Sequence, residues 1–175
     1  DWSSDVCSSD LNPTAAPAYN EALMDGQWLL ISAPNFPKGE RRADGKYVYT
    51  LGRLAFNMFQ PTNLKVVIDR VMQPVFPVDN GRQRTHDIIV DFTTVDENIP
   101  TLQGIVQNLG VCQPTHDNIL QVQFTGGVLK PKEQKDMEAW QKIFANQSQP
   151  ASRGLKDILM NSFLRIMFGI VPPQG

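Results

Sequence analysis

The stretch from Gly52 to Val71 constrains this chain more tightly than any other. Leu54, Phe56 and Met58 alternate with polar or small neighbours, which puts them on one face of an extended chain because side chains alternate with period 2. Pro61-Thr62-Asn63 punctuates, and Leu64-Lys65-Val66-Val67-Ile68-Asp69-Arg70-Val71 returns in a β-branched run. The expectation is a pair of strands, 52–60 and 64–71, joined by a short turn. An isolated hairpin is marginal in water, so this pair demands a sheet around it.

The rest of the chain supplies one. At 175 residues it is long enough to bury a core, and 41% hydrophobic with 19% charged residues suits a globular protein. Thirteen prolines and twelve glycines favour many short strands and turns over a helical bundle. The formal net charge of -2 gives no basic face for nucleic acid, and no apolar run reaches the length of a membrane-spanning helix. Residues 1–11 contain Ser-Ser-Asp twice and no apolar period. They read as a leader foreign to the fold, non-native or disordered, ahead of a single domain from 12 to 175. Cys112 is then the one cysteine of the domain, expected as a small buried hydrophobe.

In chain order, 12–23 predicts a short helix restricted by Pro17, and Gln27–Ser32 a first strand. Residues 33–46 predict a loop, and Tyr47–Thr50 opens the strand pair. Val71–Val78, with Pro74 and Pro77, suits a sheet edge or strand end. Asp79-Asn80-Gly81 predicts a hairpin turn leading into a strand over 84–95, with Ile88, Val90 and Phe92 on one face. A strand over 105–112 and a turn at 114–118 follow. Leu120, Val122 and Phe124 then alternate with Gln121, Gln123 and Thr125, and Gly126-Gly127 marks a bulge. Two helices close the pattern. One begins near Pro131, with Met137, Trp140 and Phe144 on one face and Glu138 four residues before Lys142. The other is an amphipathic segment over 155–171. The fold class is mostly β: an antiparallel sandwich or small barrel with one short leading helix and two late ones.

No nucleophile elbow, Gly-rich dinucleotide loop or phosphate-binding loop occurs in the sequence. His86 and His116 each neighbour an aspartate but lack a third ligand for a metal, and read as surface or hairpin-end residues. No catalytic residue, cofactor site or metal site is therefore expected. Trp28, Leu30, Leu54, Phe56, Met58, Val66, Ile68, Val90, Phe92, Leu120, Val122 and Phe124 either line a lumen holding an apolar ligand or fill a dry core; barrel dimensions permit both. Arg53 and Asn57, opposite Phe56 on an extended chain, would point outward and leave no head-group partner. Phe163, Met167 and Phe168 on the last helix would either insert into a membrane interface or cover the core.

Asn12-Pro13-Thr14 followed by Leu23-Met24-Asp25-Gly26-Gln27-Trp28-Leu29-Leu30-Ile31-Ser32 resembles the opening of the plastid lipid-associated protein (PAP/fibrillin) family. Leu51–Pro61 and Val71-Met72-Gln73-Pro74 look like its next recurrent segments, in the same order, across roughly residues 12 to 125. The resemblance implies a lipocalin-like antiparallel β-barrel, open or closed, that catalyses no reaction. It implies partners among lipids, carotenoids or prenylquinones at thylakoids or plastoglobules of a plastid, or at the thylakoid periphery of a cyanobacterium. The family's closing strand pair, with its Asp-x-x-x-Arg element, has no counterpart here, so the chain reads as truncated at its C-terminus. A second reading is a coat protein held on lipid surfaces by the 155–171 helix, with no enclosed ligand.

Overall fold

The computed structural model describes residues 14–144 and the strand Phe163–Met167; the leader assigned to residues 1–11 lies outside them. Ten strands form one antiparallel sheet: β1 (Gly26–Leu29), β2 (Glu40–Arg41), β3 (Tyr47–Thr50), β4 (Lys65–Val75), β5 (Pro77–Val78), β6 (Gln83–Thr85), β7 (Ile88–Thr94), β8 (Gln103–His116), β9 (Ile119–Pro131) and β10 (Phe163–Met167). The main path runs β10-β9-β8-β7-β4-β3-β2, and β1 lies beside β3 on the same edge of β4. Among the described residues the sheet does not close on itself. The protein is mostly β with a few short helices.

The turn expected at Asp79-Asn80-Gly81 forms, but as a four-residue loop (79–82) in which Asp79, Asn80 and Gly81 all take positive φ, of 50°, 54° and 84°, instead of a two-residue turn. It joins β4–β5 to β6–β7 in one long hairpin. The strand expected over 84–95 is broken at His86-Asp87, because Asp87 turns its carboxylate onto the backbone: Gly110 N donates to Asp87 Oδ1 at 3.1 Å. The break lets β6 pair with β8 at Arg84↔Cys112 while β7 pairs with β8 from Ile88↔Asn108 onward. β8 and β9 are the longest pair, and their register slips opposite Thr125, beside the expected Gly126-Gly127 bulge.

Even-numbered residues of β8 face the core. Val106 is fully buried beside Phe92 of β7 and Val66 and Ile68 of β4, and Leu129 comes in from β9. Two glycines admit bulky side chains to this face. A Cβ at Gly104 would strike Phe92 and come within 2.6 Å of Trp140, and one at Gly127 would lie 2.6 Å from Met58 Cε. Trp140 and Phe144 of α3 (Met137–Phe144) cover one end, with Trp140 stacked 6.4 Å from Phe92 and 4.3 Å from Phe144. Pro131 ends β9 instead of starting that helix, and Met137 is exposed. Glu138 and Lys142 pair at 3.0 Å, as their spacing predicts.

At the other end Ala18 packs on Cys112, Leu120 and Val122, beside a short helix α1 (Glu21–Met24). That helix is shorter than 12–23 predicts, because Pro17 allows only a single turn of 3₁₀ helix ahead of it. It is tied down by Arg84, a buried guanidinium 2.7 Å from Asp25 and 3.1 Å from Glu21. Burial opposes that charge, but the hydrogen bonds and field of the two carboxylates outweigh it and hold the pKa above its ordinary value.

Two expectations fail outright. The strand 52–60 is replaced by a helical turn α2 (Leu51–Leu54) and a tight loop. Thr50 caps the turn, accepting from Arg53 N at 3.4 Å, and Leu51, Leu54 and Ala55 point into the core at i, i+3 and i+4. Asn108, buried on β8, donates to Leu54 O at 2.9 Å and so pins the turn against the sheet. The helix over 155–171 is also not formed at its centre: Phe163–Met167 runs as β10, Phe163 opposite Gln123 and Met167 opposite Ile119. The β9 edge offers a ladder of unpaired donors and acceptors, a stronger demand than an isolated helix's own hydrogen bonds can meet. Phe168 lies outside the described residues.

Candidate ligand-binding site

The twelve expected lining residues divide three ways. Leu54, Val66, Ile68, Val90 and Phe92 are in the main core. Leu120 and Val122 are in the smaller cluster, with Phe124 half-buried against it. Trp28, Leu30, Phe56 and Met58 are exposed. Leu51, Leu54 and Ala55 of the α2 segment and Trp140 and Phe144 of α3 pack on the buried face of the sheet and fill much of it.

Space opens instead where the α2 loop crosses the sheet edge. The backbone there is unusual. Phe56 and Asn57 both take left-handed conformations, with φ of 48° and 60°, a region costly for a bulky side chain. Surrounding bonds impose it: Asn57 N donates to Gly52 O and Gly52 N to Thr62 O, each at 2.8 Å. Gly52 must be glycine, since a Cβ would lie 2.5 Å from Asn57 Oδ1 and 2.9 Å from Thr62 O. The result holds the Phe56 ring 48% exposed. Its inner face stacks on Phe124 at 4.9 Å.

A cavity of about 560 Å³ lies beside that ring, walled by Val48, Tyr49 and Phe56 and bordered by Asn57, Arg53, Lys65, Lys38 and Glu40. Its volume is within the range of small-molecule pockets. Strand parity places Val48 of β3 and Glu40 of β2 opposite each other, with Thr50 opposite Lys65. Lys38 arrives on the 33–46 loop, which Tyr49 anchors: its hydroxyl donates to Pro34 O at 3.3 Å and accepts from Phe36 N at 2.8 Å. Gly39 allows the close approach, since a Cβ there would be 2.7 Å from the Tyr49 ring.

Arg53 and Asn57 were expected to face away from Phe56. They border the same cavity, because a helical turn followed by two left-handed residues does not alternate sides as a strand does. Lys38 and Lys65 carry no motif and were not singled out by the sequence. The Leu51, Leu54, Ala55 spacing was the signal that could have placed Arg53.

His86 is buried, not at the surface, and lies 6.0 Å edge-on from Phe124. Its Nδ1 is 2.9 Å from Gln73 Nε2. Burial pushes the imidazole's pKa down, with the Asp87 charge a smaller opposing influence. His116 is exposed at the end of β8. Among the described residues no cluster of three or more His, Cys, Asp or Glu side chains could hold a metal, and no helix is long and apolar enough to cross a membrane.

No protein-family model, curated protein or solved structure matches this chain.

Proposed function

We propose that this protein binds hydrophobic small molecules, of the lipid, carotenoid or prenylquinone kind, without catalysing a reaction. The observation that carries the reading is the Phe56 ring, held half-exposed by a strained backbone on the wall of a cavity of about 560 Å³. Strain of this kind is kept where neighbouring structure enforces it, and it concentrates at ligand-contacting positions. A cavity of that size takes part of a lipid chain or ring. Burying about ten methylenes at ~0.8 kcal/mol each gives about 8 kcal/mol gross. Association costs of at least ~4 kcal/mol leave a modest net affinity. The resemblance of the Leu23–Ser32 and Leu51–Pro61 segments to plastid lipid-associated proteins supports the same class of ligand. With it goes a setting at thylakoids or lipid globules, and a lipocalin-like barrel as the family architecture.

Phe56→Gly tests this cleanly. Glycine adopts positive φ freely, so the fold is relieved of strain while the ring is removed. Unfolding free energy is expected to change by no more than about 1 kcal/mol, lost ring stacking offsetting released strain. Binding of a fluorescent polyene lipid, followed by its emission, is expected to weaken about tenfold or more, the worth of one buried aromatic contact. Unchanged binding by a folded variant removes the proposal.

A second reading, attachment to lipid surfaces as a coat, has its own observation. Trp28, Leu29, Leu30 and Ile31 are consecutive and exposed, Ile31 at 95%. Flotation with anionic liposomes that is lost in Leu29→Asp/Ile31→Asp, with lipid binding retained, favours this reading over an enclosed ligand.

A further inference from the structure

The cavity beside Phe56 has an electrostatic character that its apolar wall does not explain. Lys38, Arg53 and Lys65 border it against a single carboxylate, Glu40. None of the three cations has an ion-pair or side-chain hydrogen-bond partner among the described residues. Six other cations are ion-paired: Arg70 and Lys132 on Asp91, Arg84 on Asp25 and Glu21, Arg42 on Asp44, Lys135 on Glu133 and Lys142 on Glu138. Arg41, Lys46, Arg82 and Lys130 have no ion pair among the described residues but do not line this cavity, so what distinguishes Lys38, Arg53 and Lys65 is that three unpaired cations border one concavity. The whole chain has a formal net charge of -2, so a local excess of two positive charges at one concavity runs against its average. Clefts lined by one sign of charge with apolar walls focus that field on whatever enters them.

We infer that this cavity takes the anionic head group of a single-chain amphiphile, a fatty-acid carboxylate being the simplest, with its hydrocarbon against Val48 and Phe56. The inference rests on the hydrophobic-ligand reading above and names the ligand class for the same site. Arg53 and Asn57 precede and follow Phe56 closely in one loop, so the residues that offer charge and amide donors are positioned by the same turn that presents the ring. Glu40 on the opposite border disfavours a multiply charged head group and favours a single negative charge.

The test uses cis-parinaric acid and its methyl ester, which share a fluorescent hydrocarbon chain and differ in charge. On the full chain near neutral pH and low salt, the acid is expected to bind about tenfold more tightly than the ester. That factor is what two or three partly solvated ion contacts supply together. The preference is expected to shrink as salt rises, since screening acts on the acid alone. In Lys38→Gln/Arg53→Gln/Lys65→Gln the acid's advantage over the ester, both measured on the variant, is expected to fall to about twofold or less; far-UV circular dichroism checks the fold, and the salt series on the unaltered chain stands without the variant. Equal affinity for acid and ester overturns the anionic head group and leaves the apolar reading in place. Binding of neither overturns both. Inorganic phosphate binding as tightly as the acid makes the site one for a free anion, and overturns the amphiphile.

Discussion

His86 shows how a single side chain can be read from its type and misread in its setting. Beside Asp87 and near a hairpin it looks like a surface residue; in the fold it is 6% exposed, between Gln73 and the edge of Phe124. Nothing in its sequence neighbourhood announces burial, because burial here follows from the strand break that Asp87 makes onto Gly110. The consequence is a pH dependence of stability. Burial keeps the folded imidazole neutral to a lower pH than in the unfolded chain, whose histidine titrates near 6.5. Below that pH the unfolded state binds the extra proton, so stability is full above about 6.5 and falls as pH drops. Urea unfolding at pH 7.5 and pH 5.5 is expected to show a smaller loss for His86→Gln than for the parent chain. An equal loss in both proteins would assign the pH dependence to other groups. Cys112 behaves as its residue type suggested: it is buried, and burial raises its thiol pKa, with the Arg84 charge opposing.

At the level of elements, legibility follows the strength of the local signal. β9 was readable because Leu120, Val122 and Phe124 alternate with polar residues, and the Asp79-Asn80-Gly81 turn because few residues but these take positive φ. The strand expected over 105–112 instead runs from Gln103 to His116, through part of the turn expected at 114–118. The segment 51–62 was ambiguous in principle. Leu54, Phe56 and Met58 fit period 2, while Leu51, Leu54 and Ala55 fit a helical turn. Tertiary contacts decide between them: Asn108 collects the Leu54 carbonyl and Gly127 leaves a hollow for Met58. Neither partner is local, so neither could be weighed from the segment alone. The candidate site suffers most from this, since five of its polar residues, Lys38, Glu40, Arg53, Asn57 and Lys65, come from β4, the 33–46 segment and the misread turn. Its one legible member was Phe56, expected at a ligand for a reason, period 2, that does not hold.

For the molecule as a whole, the open sheet leaves a question of edges. A barrel has none, whereas an open sheet must protect each outer strand or pair it. On one side β1, β2 and β3 are short, and β2 carries charged Glu40 and Arg41, which discourages further pairing. On the other side β9 is long, and its Leu120 and Val122 are buried. Five residues of β10 cover part of its length, from Ile119 to Gln123. The stretch that periodicity assigned to a surface helix therefore acts as the guard of the sheet's long outer strand, β9. Ending the chain at Gln149 discriminates the two roles. A helix lying on the surface can be removed with little effect on the sheet. Loss of β10 strips a backbone ladder from β9 and presents an apolar edge, so the shortened chain is expected to melt several degrees lower, each kcal/mol being worth about 2–8 °C. It is also expected to self-associate with concentration, seen as earlier elution in size-exclusion chromatography. A shortened chain that stays monomeric and melts with the parent would mean that β9 does not depend on β10, and that the edge is protected by its own twist and bulge.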